Sequence, residues 1–267
     1  MGLSPLKLAD NHVHTEWSWD APSRAMEESC RRAVELGLPS IAFTEHADWV
    51  RGHKAVVDPE GYFDCVERCR SAYPGLRILA GVEIGEPHLF PEAARGLLTA
   101  PFDRVLASVH CVEWQGRRVD ASERGFLTPA NVEEVFDLYL REVLALIESD
   151  QVFDVLAHLD YPKRYWPSER RYDEAPHEQE FRRILRAAAA RGTVLELNTT
   201  RGGDPDRFLC PGPIVLEWWR DEDGRAISFG SDAHRPEAIA AGFQHAQAVA
   251  AGAGFKPHED PDGFWLR

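Results

Sequence analysis

Short apolar runs alternate with amphipathic stretches along the whole sequence, and this pattern limits the possible folds more than any other feature. The apolar runs predict seven strands, at Lys7–His14, Ser40–His46, Arg77–Gly85, Asp103–His110, Asp154–Asp160, Thr193–Thr200 and Ala226–His234. The stretches between them predict helices, among them Ser23–Leu36, Glu60–Ala72, Val132–Glu148 and Glu178–Arg191. Strands that alternate with helices are typical of a parallel sheet covered by helices. The sequence therefore predicts an α/β fold.

The connections between the predicted elements indicate a single domain. No linker rich in proline, glycine or serine interrupts the alternation, so we predict one domain over residues 1–267. Two connections are long: Ala47–Pro59 after the second strand, and Cys111–Ala130 after the fourth. Because long connections in a compact domain usually line a functional site, we expect both to do so.

Composition and charge exclude several classes of function. The chain has 30 basic and 44 acidic side chains, a formal charge of −14, and no long basic stretch. Stable binding to duplex nucleic acid or to an anionic membrane is therefore not expected. No apolar run is long enough to cross a membrane, and the first residues lack the pattern of a signal peptide. Five cysteines, an odd number, favour reduced thiols in the cytoplasm. The sequence does not indicate an oligomeric state.

Polar side chains that can bind metals stand at the ends of the predicted strands. His12 and His14 are two residues apart on a strand, so their side chains share a face, and Asp232 and His234 repeat this spacing. Other strands end in or contain His46, Glu83, His110 and His158. The carboxyl ends of parallel strands meet at one edge, and imidazole with carboxylate suits zinc, iron or manganese. The sequence predicts a site for two or three such ions.

Two common alternatives lack their motifs. The sequence contains no phosphate-binding glycine loop and no Gly-x-Ser-x-Gly segment. P-loop nucleotide hydrolysis and serine hydrolysis are therefore not indicated.

The strand-end motifs resemble those of the polymerase and histidinol phosphatase (PHP) family, in the same order and over nearly the whole chain. The motifs are His12-Val-His14, Phe43-Thr-Glu-His46, Gly81-Val-Glu83, Ser108-Val-His110, Ala157-His158-Leu-Asp160 and Gly230-Ser-Asp-Ala-His234. Chain length, the Glu196-Leu-Asn-Thr-Thr200 segment and the segment from His158 to Tyr165 are most similar to the histidinol-phosphate phosphatase branch.

The resemblance implies a distorted seven-stranded (β/α)7, TIM-like barrel with three metal ions at its mouth. The implied ligands of the first ion are His12, His14, Glu83 and Asp232, and those of the second are Glu83, His110 and His158. The implied ligands of the third are Asp20, His46 and His234. Asp20 departs from the family pattern, because many members have a histidine at this position.

The resemblance also implies a chemistry, in which a metal-bound water attacks phosphorus while the ions stabilise the charge on the phosphoryl oxygens. Catalysis is assigned to Glu83, Asp232, His234 and Arg164. Arg164 and Arg201 are expected to bind the phosphate. Trp17 and Trp19, which follow the His-x-His pair, are expected to form a wall of the substrate pocket, with Trp17 assigned to substrate binding. The expected activity is a metal-dependent phosphomonoesterase acting on a small-molecule phosphate ester, with L-histidinol phosphate as the first candidate.

Two other functions remain open at this point. A nucleotide phosphatase or short-oligonucleotide exonuclease could use the same metal centre, with Trp17, Trp49 and Trp114 available to stack on bases. A catalytically silent metal-binding or polymerase-accessory domain is disfavoured, because the full ligand set is present and no partner domain is attached.

Overall fold

A computed structural model of the chain describes residues 8–22, 25–52, 56–200, 209–258 and 263–267. The strands are β1 (Asp10–Val13), β2 (Ser40–Ala47), β3 (Arg77–Gly85), β4 (Arg104–Ser108), β5 (Cys111–Trp114), β6 (Arg117–Asp120), β7 (Val155–Leu156), β8 (Val194–Asn198), β9 (Ala226–Gly230), β10 (Lys256–Pro257) and β11 (Trp265–Leu266). The helices are α1 (Met26–Leu36), α2 (Pro59–Ala72), α3 (Pro91–Leu97), α4 (Val132–Glu148), α5 (Glu178–Arg191), α6 (Pro213–Asp221) and α7 (Phe243–Gly252).

The main sheet is mixed, has nine strands and curls on itself. Its order is β1-β2-β3-β4-β7-β8-β9-β11-β10, and all neighbours from β1 to β9 pair in parallel. The carboxyl ends of β1 and β9 meet, because the His14 amide donates to the Ala233 carbonyl at 2.8 Å and the Asp232 amide donates to the His12 carbonyl at 2.8 Å. The predicted α/β fold is confirmed. The predicted count of seven strands is too low, because the C-terminal segment adds β10 and β11 in antiparallel pairing.

Several predicted strands are shorter in the structure, and each stops where the chain turns into the cleft at the end of the sheet. The fifth prediction, Asp154–Asp160, contains only the two paired residues of β7. His158 follows with φ of 25°, and Asp232 after β9 has φ of 53°. Such backbone angles are uncommon for residues other than glycine and often occur at functional sites. At His158 and Asp232 the backbone therefore leaves the extended conformation of the preceding strand.

The long connection after β4 contains a hairpin that sequence periodicity did not indicate. Strands β5 and β6 form a separate two-stranded sheet in which Cys111 pairs with Asp120. The hairpin carries Asp120 to the carboxyl ends of the main strands. In the described part of the connection after β2, a 3-10 turn at Trp49–Arg51 lies near the same cleft. Both long connections therefore line the site, as predicted.

Two hydrophobic clusters cover the outer surface of the sheet. Helices α1 and α2 bury Met26, Cys30, Tyr62 and Val66 against the first strands. The larger cluster joins the remaining strands to α4, α5, α6 and α7. Helices α1 and α5 end at Gly37 and Gly192 in left-handed conformation, which favours glycine. The apolar faces of the helices thus pack against the outer side of the sheet, and polar side chains occupy the strand ends.

Gly224 lies in tight contact with the fully buried indole of Trp219, where even one added methyl group has no space. A Cβ at Gly224 would lie 2.1 Å from Trp219 Cδ2. We expect Gly224→Ala to lower the free energy of unfolding by about 1–3 kcal/mol, because the core must shift to accept the methyl group. Chemical denaturation measures this. Gly96→Ala is the control, because a Cβ added at Gly96 would have no neighbouring side chain or distant backbone atom within 4 Å. The free energy of unfolding should therefore stay the same or rise slightly. Equal losses in the two variants would contradict the packing argument.

No helix in the described part of the chain is long and apolar enough to cross a membrane.

Candidate metal centre

Glu83, on β3, lies at the centre of the polar cluster inside the curled sheet. Its Oε1 lies 2.7 Å from His158 Nε2 and 3.3 Å from His110 Nε2. Its Oε2 lies 3.2 Å from His12 Nε2, 3.4 Å from His14 Nε2 and 3.2 Å from His46 Nδ1. The side chains of all these residues are nearly or fully buried. One carboxylate therefore connects five histidines from four separate segments of the chain.

The donor atoms fall into three compact groups, in each of which the atoms lie within 4.8 Å of one another. The groups are His12, His14 and Asp232; His12, Glu83 and His158; and His14, His46 and His234. Asp20 borders the last group, since its Oδ2 is 2.6 Å from His234 Nε2 and 3.6 Å from His46 Nε2. His110 belongs to none of the three groups but borders Glu83. The structure thus brings all nine sequence-predicted metal ligands together, and divalent ions fit this set of donors.

The electrostatics of the cluster favour cations. Burial opposes a charge on His12 and on His110, yet nearby carboxylates raise the pKa of each well above its usual value. Burial also opposes the charge on Glu83, but His12, His46 and His110 hold its pKa well below the usual range. The carboxylates therefore attract positive charge strongly enough to favour the protonated forms of His12 and His110. Metal ions would displace these protons and supply the same charge.

A further carboxylate, Glu196 on β8, orients two of the histidines. His12 Nδ1 donates to Glu196 Oε1 at 2.7 Å, so its Nε2, which faces Glu83 at 3.2 Å, is the nitrogen that would bind a metal ion once its proton is displaced. The backbone amide of His158 donates to Glu196 Oε2 at 2.8 Å. A carboxylate that holds the distal nitrogen of a metal-binding histidine fixes its tautomer and raises its basicity. Sequence reasoning did not assign Glu196 to the site, although it lies on the predicted sixth strand with the period-two spacing Glu196-x-Asn198.

A second supporting network surrounds His14. Ser18 Oγ donates to Glu45 Oε2 at 2.6 Å and accepts from His14 Nδ1 at 3.0 Å and from the His46 amide at 3.1 Å. Glu45 also accepts from the Thr15 hydroxyl at 2.6 Å. His14 therefore donates through Nδ1 and keeps its Nε2 lone pair for the cluster. Glu45 points away from the cleft but determines the tautomer of a residue within it.

Asp48 is a site residue that the sequence analysis missed. Its Oδ1 is 3.4 Å from His110 Nδ1, and its Oδ2 is 3.4 Å from His46 Nδ1. Asp48 Oδ1 and His46 Nδ1 are both buried without a hydrogen-bond partner among the described residues, as donors to a cation would be. A signal was present, since His46-x-Asp48 repeats the spacing of His12-x-His14. Asp48 follows β2 directly, at the start of the long connection Ala47–Pro59.

Arg164 lies at the wall of the cleft beside the metal-ligand candidates. Its Nη1 donates to Asp232 Oδ2 at 2.6 Å and its Nη2 donates to Asn198 Oδ1 at 2.9 Å. The side chain is largely buried, and its guanidinium carbon lies 5.2 Å from the centre of the Tyr161 ring. The other predicted phosphate-binding residue, Arg201, lies outside the described residues.

The structure corrects the assignment of Trp17 to the substrate pocket. The Trp17 ring packs edge-on against Tyr62 of α2, with 6.5 Å between ring centres, and it adjoins the hydrophobic cluster on that side. The cleft is lined instead by Trp19, two residues further along the chain. Both tryptophans follow the same strand, and sequence spacing alone did not show which one faces the cleft.

We expect Glu196→Gln to weaken metal affinity by about 10- to 100-fold, the usual effect of losing a carboxylate behind a metal-binding histidine. The amide keeps the shape of Glu196 but removes the charge that His12 requires. Titration of the metal-free protein with zinc measures the change. Glu178→Gln on the exposed side of α5 is the control and should bind zinc as the wild type does. Unchanged affinity in Glu196→Gln would show that Glu196 has only a packing role.

A curled, largely parallel sheet with histidine and carboxylate donors at its carboxyl ends defines a metal-binding α/β protein. Residues 10–200 match the profile of the PHP domain family, and the chain belongs to that family. It is 29% identical over 256 residues to a probable histidinol-phosphatase of Clostridium acetobutylicum, covering 93% of this chain and 94% of the relative. It is 28% identical over 233 residues to the histidinol-phosphatase of Lactococcus lactis, covering 86% of this chain and 85% of the relative.

A solved structure shares the fold over nearly its whole length. The crystal structure of histidinol phosphate phosphatase from Lactococcus lactis, complexed with zinc, L-histidinol and phosphate, superposes with a TM-score of 0.81 at 26% identity. The match covers 94% of this chain and 95% of that one. The family resemblance drawn from the strand-end motifs is thus confirmed.

Proposed function

We propose that this protein is a metal-dependent phosphomonoesterase that hydrolyses L-histidinol phosphate to L-histidinol and phosphate. The observation that carries the proposal is the convergence of eight histidine and carboxylate side chains around Glu83, next to a buried arginine. Similarity to histidinol-phosphatases over nearly the whole chain supports the choice of substrate.

The residues present fit two or three divalent ions such as zinc, iron or manganese. One ion would be held by His12, His14, Glu83 and Asp232. A second would be held by Glu83, His110 and His158, and a third by Asp20, His46 and His234. Bound divalent ions supply a nucleophilic hydroxide at neutral pH and stabilise the charge that develops on the phosphoryl oxygens. Glu196 and Ser18 hold the ring orientations that this arrangement needs.

The protein's own contribution to phosphate binding is local. With a formal charge of −14, the overall field opposes a phosphate dianion, so positive charge must stand beside it. The Arg164 side chain is already buried, and its guanidinium donates hydrogen bonds to Asp232 and Asn198. The orientation of the guanidinium is therefore fixed before substrate binds. A guanidinium in this position can offer two parallel N–H donors to phosphate oxygens. We assign the same role to Arg201, on the basis of sequence resemblance.

Four further features belong to the proposal. The seven parallel strands from β1 to β9 form a distorted (β/α)7 barrel, closed where His14 meets Ala233. The chain acts as one domain. Its substrate is a small phosphate ester, without stable binding to duplex nucleic acid. The protein works in the cytoplasm, where the five unpaired cysteines stay reduced.

Release of phosphate from a panel of esters tests the function. The protein is stripped with a chelator, reloaded with zinc, manganese or iron, and offered L-histidinol phosphate, nucleoside monophosphates, nucleoside 3′,5′-bisphosphates and short RNA. We expect the stripped protein to be inactive, the metal-loaded protein to be active, and L-histidinol phosphate to have the highest kcat/KM. Preference for a nucleotide or for RNA would overturn the choice of substrate, and full activity after complete metal removal would overturn the mechanism.

A further inference from the structure

The cleft carries, beside Tyr161, an anionic group that has no part in the hydrolysis proposed above. Asp120, at the end of β6, has a side chain that is 10% exposed, and it lines the same cleft as Glu83 and His158. Its Oδ1 accepts the Ser122 amide at 2.6 Å and the Tyr161 hydroxyl at 3.4 Å. A carboxylate is therefore held in a fixed position within a site whose substrate is itself an anion.

The tyrosine between Asp120 and the histidine cluster sets the distance of this carboxylate from the reaction centre. The Tyr161 ring lies against His110 and His158, with ring centres 5.0 and 5.1 Å away. Its hydroxyl, at the far end of the ring, reaches Asp120. Tyr161 thus separates Asp120 from histidines that border Glu83. In a phosphorylated 2-amino alcohol the ammonium group likewise lies away from the phosphoryl group, two carbons beyond the ester oxygen.

The second carboxylate oxygen of Asp120, Oδ2, already pairs with a cation in this structure. Arg51, from the turn after β2, forms an ion pair with Asp120 Oδ2, and its guanidinium carbon lies 4.4 Å from the centre of the Trp19 ring. The Arg51 side chain is 31% exposed, so it can leave Asp120 without opening the core. The indole of Trp19 can still hold the displaced guanidinium through its ring face. The position beside Asp120 Oδ2 is therefore suited to a positive charge, and the Arg51 guanidinium that now holds it can be displaced.

We propose that Asp120 is a specificity-determining residue, whose carboxylate accepts the ammonium group of a phosphorylated amino alcohol in the place that Arg51 holds in the free protein. This inference rests on the proposed phosphomonoesterase function and names the chemical class of its leaving group. The metal cluster and Arg164 bind the phosphoryl end of any monoester. Asp120 selects those monoesters that carry a positive charge two carbons from the ester oxygen.

Paired substrates that differ only in charge test this role. The metal-loaded wild type and Asp120→Asn are compared on L-histidinol phosphate, on 2-aminoethyl phosphate and on propyl phosphate, which has no ammonium group. We expect Asp120→Asn to lower kcat/KM for the two amino esters by about 10- to 100-fold, the usual range for a hydrogen bond to a charged group. Turnover of propyl phosphate should change by less than about threefold on the same scale, which also shows that the variant folds and holds its metals.

Two further variants sharpen the test. Glu123→Gln removes an exposed carboxylate of the same hairpin, one that pairs with Arg117, and should leave the preference for amino esters unchanged. Arg51→Met removes the competing cation and should preserve or increase that preference. A loss of preference in Arg51→Met would overturn the proposal, as would equal losses in Asp120→Asn on esters with and without an ammonium group. If the wild type hydrolyses none of the three esters, the proposed function fails instead.

Discussion

Replacement of Glu83 by alanine is expected to abolish turnover and to lower the metal content of the purified protein. The two Glu83 oxygens lie between 2.7 and 3.4 Å from nitrogens of five histidines, so its loss affects every part of the cluster. We expect kcat to fall by more than about a thousandfold, well beyond the 10- to 100-fold typical of residues that only support a metal ligand. Steady-state kinetics with L-histidinol phosphate and elemental analysis of the same sample measure both effects.

Glu83→Gln separates loss of charge from loss of shape. The amide fills the same space but cannot share two oxygens between neighbouring ions, so its kcat should also fall severely while the fold is kept. A rise in KM with kcat unchanged would indicate a role in substrate binding only. Near-normal turnover of metal-loaded Glu83→Ala would contradict the central position that the structure assigns to this residue.

Removal of the guanidinium of Arg164 is expected to lower kcat/KM by about 10- to 100-fold, since a hydrogen bond to a charged group contributes on the order of 1.5–3 kcal/mol. The loss should be similar for L-histidinol phosphate and for propyl phosphate, because the contact is to phosphate and not to the leaving group. Metal content should stay unchanged in Arg164→Ala, since Asp232 meets Arg164 through Oδ2 and faces His14 Nε2 through Oδ1 at 3.4 Å.

Arg164→Lys is the matched variant for this prediction. Lysine keeps the charge but cannot supply two parallel N–H donors, so it should recover only a small part of the lost activity. Full recovery would show that charge alone is needed. A loss confined to one substrate would make Arg164 a specificity residue, and unchanged kcat/KM in Arg164→Ala would remove it from phosphate binding.

The metal-ligand candidates were predictable from sequence because they follow a local rule. Residues two apart on a strand share a face, and the carboxyl ends of parallel strands meet at one edge. His12-x-His14 and Asp232-x-His234 obey this rule directly, and the structure brings their side chains within 4.8 Å of one another in the groups described above. The alternation of strands and helices predicted the α/β class for a similar reason, since the bounds of β3, α4 and α5 follow from periodicity alone.

The residues that support or surround the centre were not predictable in this way. Glu196 reaches His12 across 184 positions of the chain, and Asp48 reaches His110 from a connection without periodicity. Trp19 rather than Trp17 faces the cleft, because the turn after β1 rotates successive side chains by amounts that no simple repeat describes. The hairpin that carries Asp120 and the two added strands at the C-terminus depend on pairing with distant backbone.

The sequence by itself therefore determined the fold class, the family and nine candidate metal ligands, since these depend on local periodicity and on which residues end the strands. The tertiary structure alone decided which carboxylates orient the histidines, which aromatic ring lines the cleft, and where Arg164, Arg51 and Asp120 stand relative to one another. The physical reason is that hydrogen bonds and ion pairs between distant segments depend on atomic distances. Those distances are set only when the sheet curls and brings the ends of β1 and β9 together.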